Sequence, residues 1–213
     1  MRIIIVYDNE IRKAGLRRGW GFSALIEDAG APPVLFDTGA DGPTLLHNMQ
    51  ELNIDPQDIG MIVISHAHDD HIGGLSEILG INGIAELYLP SSFRRAFPGR
   101  KVTMVKNSVQ IRENVFSTGE LEGVEQSLAL KTDKGIVALT GCAHPAMESI
   151  LAAATKFGKL YGIAGGLHGF HNFEAFRGLS LICPCHCTVY KREIRDLFKD
   201  KALECGAGMV IEL

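Results

Sequence analysis

Apolar runs of three to five residues recur along the chain, and polar or glycine-rich stretches separate them. Short runs rich in Ile, Val and Leu read as buried strands rather than helices. The pattern predicts a first strand at residues 3–7, then a basic loop at 8–21. A hairpin is predicted from strands at 22–27 and 34–36 around a turn at 28–33. Asp41-Gly42-Pro43 opens a helical stretch with Leu45, Leu46, Met49 and Leu52 on one face. A strand at 61–64, a helix at 75–79, a strand at 87–89 and a polar, basic loop at 91–101 follow. Further strands are predicted at 102–105, 110–115, 126–131 and 135–140, the last two joined by a turn at 131–135. An alanine-rich helix at 146–157, strands at 160–164 and 179–182, an amphipathic helix at 189–203 and a strand at 209–211 complete the series. This order predicts an α/β protein of two βα-rich halves, with sheets inside and helices outside. No repeat is visible in the sequence, so any halving is structural.

The strand ends carry the chemistry. The run Met61-Ile62-Val63-Ile64 leads into Ser65-His66-Ala67-His68-Asp69-Asp70-His71-Ile72-Gly73-Gly74. Three imidazoles and two carboxylates thus fall within six positions beside a core strand. Such groups cost desolvation energy there unless a metal or a partner compensates them. Imidazole and carboxylate are the ligands of Zn²⁺ and related divalent ions. Four more strands end in the same way: at Asp37-Thr38-Gly39, at Gly141-Cys142-Ala143-His144, at Gly165-Gly166-Leu167-His168 and at Cys183-Pro184-Cys185-His186-Cys187. Six of the eight histidines sit in these positions, where sites in open α/β sheets form.

Composition narrows the class. A hydrophobic share of 46% and a charged share of 22% are ordinary for a globular protein, and 213 residues suffice for one domain. A formal charge of −4 argues against a nucleic-acid partner. No apolar run approaches the roughly 20 residues that span a bilayer, so no membrane association is expected. The first run is too short for a signal sequence, and five cysteines without one point to a reducing, cytoplasmic setting. A small-molecule substrate is the expected partner; the oligomeric state stays open.

The cluster His66, His68, Asp70 and His71 matches the His-x-His-x-Asp-His hallmark, and the chain resembles the metallo-β-lactamase superfamily over essentially its whole length. Gly-Cys-Ala-His, Gly-Gly-x-His and Cys-His-Cys-Thr are similar to the subgroup labelled dihydropterin-methyl-ribofuranosyl-aminobenzene-phosphate synthase. The resemblance implies a single domain over 1–213, a four-layer αββα sandwich with two mixed sheets inside and helices outside. It implies two divalent metal ions, zinc first, with manganese or iron as alternatives. His66, His68 and His144 would hold one ion, and Asp70, His71 and His186 the other. Asp37 would orient a ligand histidine; without the family it reads as a helix cap for the Gly42 region. His168 falls where most members carry Asp. A neutral imidazole cannot bridge two ions, so His168 is either a terminal ligand or a proton donor in contact with substrate. Trp20 stands where the subgroup pattern has His, and either covers the site or packs.

The reaction this implies is metal-dependent hydrolysis of an ester, lactone or phosphoester in a small, anionic substrate. Asp70 and Asp69 or His168 would do the acid–base work, the latter two by passing a proton to the leaving group. His68 stands where oxygen-reducing di-iron relatives carry Glu, which favours hydrolysis over redox chemistry. Two rival readings are a pterin- and ribose-phosphate-linked synthase using the same metals, and a non-catalytic metal- or redox-binding protein. Arg12, Lys13, Arg17, Arg18, Arg94, Arg95, Arg100 and Lys101 lie in two loops and admit either a phosphate-binding rim or a solvated surface. Cys183, Cys185 and Cys187 would point one way along a strand and His186 the other. With Cys142 they read as buried structural thiols, or as thiolate ligands or redox groups.

Overall fold

The Ile, Val and Leu runs form strands, and the strands form two mixed sheets. The computed structural model describes residues 1–213. In chain order the strands are β1 (Arg2–Tyr7), β2 (Ser23–Glu27), β3 (Val34–Phe36), β4 (Met61–Val63), β5 (Glu86–Pro90), β6 (Val102–Val105) and β7 (Asn107–Arg112). They continue as β8 (Val115–Leu121), β9 (Glu125–Thr132), β10 (Gly135–Thr140), β11 (Leu160–Gly166), β12 (Leu181–Cys185) and β13 (Val210–Glu212). The helices are α1 (Gly42–Glu51), α2 (Asp69–Ile72), α3 (Leu75–Ile81), α4 (Met147–Thr155) and α5 (Lys191–Phe198). The chain divides into two units, Met1–Met104 with Cys205–Leu213, and Val105–Glu204.

The first unit's sheet has the order β13-β1-β2-β3-β4-β5-β6. From β13 to β3 neighbours are antiparallel; β3, β4 and β5 are parallel. One face, with Ile4, Val6, Leu25, Leu35, Ile62 and Leu87, packs with Leu45 and Met49 of α1 and Leu75 and Ile78 of α3. The other face, with Ile3, Ile5, Ala24, Ile26, Val34 and Phe36, is buried as well. Burial on both faces explains why these strands read as unbroken apolar runs rather than alternating ones. The chain's last segment completes this sheet: β13 pairs with β1, the Ile5 N–H donates to Met209 O at 2.9 Å, and Ala207 exchanges backbone bonds with Glu10 and Arg12, each 2.8 Å.

The second unit's sheet has the order β12-β11-β10-β9-β8-β7. From β7 to β10 the pairs are antiparallel, and β10, β11 and β12 are parallel. Ala129, Ile136, Ala138, Ile163 and Ile182 pack with Met147 and Ala154 of α4 and Ile194 of α5. Each sheet therefore contains the same run of three antiparallel pairings followed by two parallel ones. The halving expected from the element order is present as topology, without a sequence repeat.

Several boundaries differ from expectation: β12 runs Leu181–Cys185 rather than 179–182, β8 extends to Leu121, and the short α2 was not expected. The strand predicted at 110–115 is the join of β7 and β8, where Asn114 takes a left-handed φ of 63° and turns the chain. The helix predicted at 189–203 stops at Phe198 because Lys199 has φ of 46°, and a short 3₁₀ turn (Lys199–Lys201) follows. No helix is long and apolar enough to cross a membrane.

Candidate metal centre

In the first unit the site grows from the parallel ends of β3 and β4. Asp37, just past β3, adopts φ of 60°, a left-handed conformation that Asp tolerates better than most residues. This turns its carboxylate inward, where it is fully buried. Oδ1 accepts the Ser65 N–H at 2.7 Å, and Oδ2 accepts the Ser65 hydroxyl and the Nδ1–H of His71, each at 2.7 Å. Burial raises the Asp37 carboxyl, and the His71 ring and Ser65 donors pull against that rise. With its hydroxyl proton given to Asp37, Ser65 Oγ accepts from His66 Nδ1 at 2.8 Å. The network assigns the lone pairs of His66 and His71 to Nε2 in both rings. Asp37 does not cap α1: Asp41 does, accepting the Thr44 N–H at 2.7 Å.

His66 Nε2 faces His68 Nδ1 at 3.0 Å, and His71 Nε2 lies 3.9 Å from Asp70 Oδ1. Two imidazole nitrogens that converge at that distance either share a proton or share a cation, so this donor set fits a divalent metal. His68 and Asp69 are exposed, Asp70 is partly exposed, and His66 and His71 are buried. Gly73 has an ordinary helical φ of −61°. It is required for close approach rather than for a turn: a Cβ there would lie 2.0 Å from Ala40 O. The Gly73 N–H donates to Gly39 O at 2.8 Å, and the Thr38 N–H to His71 O at 2.7 Å, tying the motif to the loop after β3.

The second unit repeats the device with a residue that sequence reasoning missed. Glu125, at the start of β9, is fully buried. Its Oε1 accepts the N–H groups of Gly141, Cys142 and Ala143 at 3.0, 2.9 and 3.2 Å. Its Oε2 accepts the N–H of His144 at 3.1 Å and that ring's Nδ1–H at 2.9 Å. The loop after β10 is thus wrapped around one carboxylate, with Ala143 at φ of 58°. In sequence Glu125 follows Glu122-Gly123-Val124 and reads as a turn charge; its signal is burial, which no spacing announces.

His168 and His186 follow β11 and β12, at φ of 46° and 45°. His186 is buried, while His168 is exposed with its ring centroid 5.2 Å from that of His144. The ligand atoms of Cys142, His144 and His168 lie within 4.8 Å of one another, and so do those of Cys142, His186 and Cys187. The expected common direction of the three cysteines holds for two of them, and Cys185 is disulfide-bonded rather than the free thiol expected. Cys183 and Cys185 have Sγ atoms 3.8 Å apart, but the turn at His186 sends Cys187 to Cys142, Sγ to Sγ 3.3 Å. The hydrogen bond with Cys142 lowers the Cys187 thiol to about 5 against the opposing effect of burial, with help from His186 and His168.

A cavity of about 380 Å³ opens beside His144 and His168, walled by Pro145, Met147, Leu167, Phe170 and Glu148. The basic loops are largely committed elsewhere. Arg12 donates to Cys205 O, Lys13 to Glu51 O, Arg94 to Ser91 O and Arg95 to Ser76 Oγ. Arg100 donates to the carbonyls of Asn82 and Leu79, and Lys101 pairs with Glu86. Trp20 is 64% exposed.

Comparison with known proteins agrees with this architecture. Residues 18–130 match the family model of the metallo-beta-lactamase superfamily, and the chain belongs to that superfamily. It is similar to a 7,8-dihydropterin-6-methyl-4-(beta-D-ribofuranosyl)-aminobenzene-5'-phosphate synthase of Methanocaldococcus jannaschii, 26% identical over 264 aligned positions that cover 92% of this chain and 90% of the relative. Among solved structures it resembles Tm1679, described as a metal-dependent hydrolase of the beta-lactamase superfamily, with a TM-score of 0.79, 27% identity and coverage of 100% and 99%. The metallo-beta-lactamase fold protein YhfI of Bacillus subtilis shares the fold at a TM-score of 0.72 and 11% identity, over 99% of this chain and 98% of that one. The expected α/β class with two mixed sheets is therefore the fold of this chain.

Proposed function

We propose that this chain is a metal-dependent hydrolase that cleaves an ester, lactone or phosphoester bond of a small substrate. The observation that carries the reading is the pair of buried carboxylates, Asp37 and Glu125, each holding the Nδ1 of one histidine of the predicted ligand set. An acceptor at Nδ1 fixes the ring's orientation and leaves Nε2 as a basic donor, the arrangement that metal-ligating histidines use. The proposed ligands are His66, His68, Asp70 and His71 in the first unit and His144, His168 and His186 in the second, for two divalent ions, zinc first. Ions held there would supply Lewis acidity and a more acidic water. Asp37, Ser65 and Glu125 keep the imidazole protons away from the ligand nitrogens. Asp69 and His168 are exposed acid–base side chains, so they can carry a proton between the leaving group and solvent. The apolar wall beside His144 and His168 supports a substrate with an apolar part. The commitment of the basic loops to internal partners favours an ester or lactone over a phosphoester.

The test is metal content and turnover of wild type, His68→Ala and His168→Ala over a panel of esters, lactones and phosphoesters. His68 is exposed, so its loss should leave the fold intact and abolish turnover. Unchanged turnover in His68→Ala would overturn the assignment. The similarity to the pterin-linked synthase over nearly all of both chains favours a second reading, a synthase that uses the same ligands on a ribose phosphate. Product formation from a dihydropterin and an aminobenzene ribose phosphate, with no ester or lactone cleaved, would select it.

A further inference from the structure

We infer that Cys142 is a metal ligand, its thiolate supplying the negative charge that the imidazoles of the second unit lack. The inference rests on the metal-dependent reading above and deepens it. Cys142 Sγ is the atom common to both donor groups of this unit, lying within 4.8 Å of the ligand atoms of His144 and His168 in one and of His186 and Cys187 in the other. An imidazole ligates a metal as a neutral donor and brings no charge to it. The buried carboxylate beside them, Glu125, already accepts five N–H groups with its two oxygens, so it holds the loop rather than a cation. A thiolate is an anionic, soft ligand suited to zinc, and Cys142 belongs to both nitrogen-donor groups of this unit whereas Cys187 belongs to one.

A glycine leaves room for the backbone that carries this thiol and for its neighbour Cys187. Gly166 ends β11, and a Cβ there would lie 2.8 Å from Cys187 Sγ and 3.1 Å from Cys142 Cα. Cys187 lies 3.3 Å from Cys142 and donates its S–H toward the Cys142 sulfur. On ligation the Cys142 S–H bond breaks, its proton leaves to solvent, and a metal–sulfur bond forms. Cys183, whose Sγ lies 3.8 Å from Cys185, belongs to neither donor group of this unit and serves as the control thiol.

The experiment is cobalt(II) substitution of the full chain, prepared under reducing conditions and read by electronic absorption. A thiolate ligand gives a near-ultraviolet charge-transfer band. The expected result is a band in wild type that is lost in Cys142→Ser and kept in Cys183→Ser. Bound cobalt with visible d–d bands but no charge-transfer band overturns the thiolate ligand and leaves the metal reading standing. A band that survives Cys142→Ser overturns it as well. Failure of the chain to bind cobalt or zinc overturns both. If Cys142→Ser does not fold, X-ray absorption of the zinc-loaded wild type decides: a sulfur neighbour at about 2.3 Å supports the ligand, and its absence overturns it.

Discussion

His144 Nδ1 lies 2.9 Å from Oε2 of Glu125, a carboxylate that also accepts four consecutive backbone N–H groups from Gly141 to His144. One buried side chain therefore shapes the loop and aims the ring at its end. Replacing it separates these two roles. In Glu125→Gln the amide must point N–H groups at N–H donors, and a buried donor left unmatched costs about 1–3 kcal/mol. Metal affinity should fall about 10- to 100-fold, as for other partners that orient ligand histidines. A chelator-competition titration alongside thermal unfolding checks both; unchanged affinity would deny Glu125 its orienting role.

Asp37 allows a sharper comparison. Asp37→Ala strands the Ser65 N–H, the Ser65 hydroxyl and His71 Nδ1 in a fully buried site and adds left-handed strain at φ of 60°. Asp37→Asn keeps the shape and tolerates that φ. Both variants should be less stable than wild type, Ala by about 1–2 kcal/mol more than Asn from the backbone alone. Denaturant unfolding at equal slope reads the difference; equal losses would show that the φ carries no cost.

Gly73→Ala tests close approach. Its Cβ would collide with Ala40 O, a backbone atom that cannot rotate away. Overpacking of this kind costs about 1–3 kcal/mol. The displaced α2 also carries His71, so loss of stability and loss of metal binding should appear together. A variant of normal stability that still binds metal would show that the two loops can part freely.

A pH dependence follows from Asp41. Burial pushes this carboxyl up, but hydrogen bonds from the Thr44 N–H and the Tyr7 hydroxyl outweigh it, and it sits below its ordinary 3.8. Burial and Asp41 in turn raise Tyr7, so the phenol stays protonated and keeps donating, at 2.8 Å. A carboxyl lowered in the fold stabilises it above the unfolded value, and that benefit fades as pH falls through the folded value. Asp41→Asn keeps the cap and removes the charge. It should be less stable than wild type at pH 7 and equal to it well below pH 3.8. A gap that persists in strong acid would assign the effect to shape rather than charge.

The strand ends were legible because each signal is local. Val34-Leu35-Phe36 before Asp37 and Ile136-Val137-Ala138-Leu139 before Thr140 announce a core strand and its polar exit within a few residues. Asp37 was expected as a positioning residue through the family pattern, and its carboxylate does lie 2.7 Å from His71 Nδ1. Glu125 was not, because its partners lie 16 to 19 residues further along and its burial is a tertiary fact. Cys187 was misdirected because strand alternation was carried one residue past Cys185, where His186 turns the chain at φ of 45°. The β7–β8 boundary was lost for a similar reason: Asn114 turns the chain inside what reads as one apolar–polar alternation.

The pairing of β13 with β1 sets an order of events during synthesis. The backbone edge of β1 at Arg2, Ile3 and Ile4 is closed by Glu212, Ile211 and Val210, which emerge from the ribosome about 200 residues later. Until then the nascent first half carries an open edge of Ile3-Ile4-Ile5-Val6, the kind of surface on which other chains add strands. These residues are thus made about 200 residues before the strand that covers their edge. A chaperone that shields this edge during translation would raise the yield of folded protein more than one acting after release.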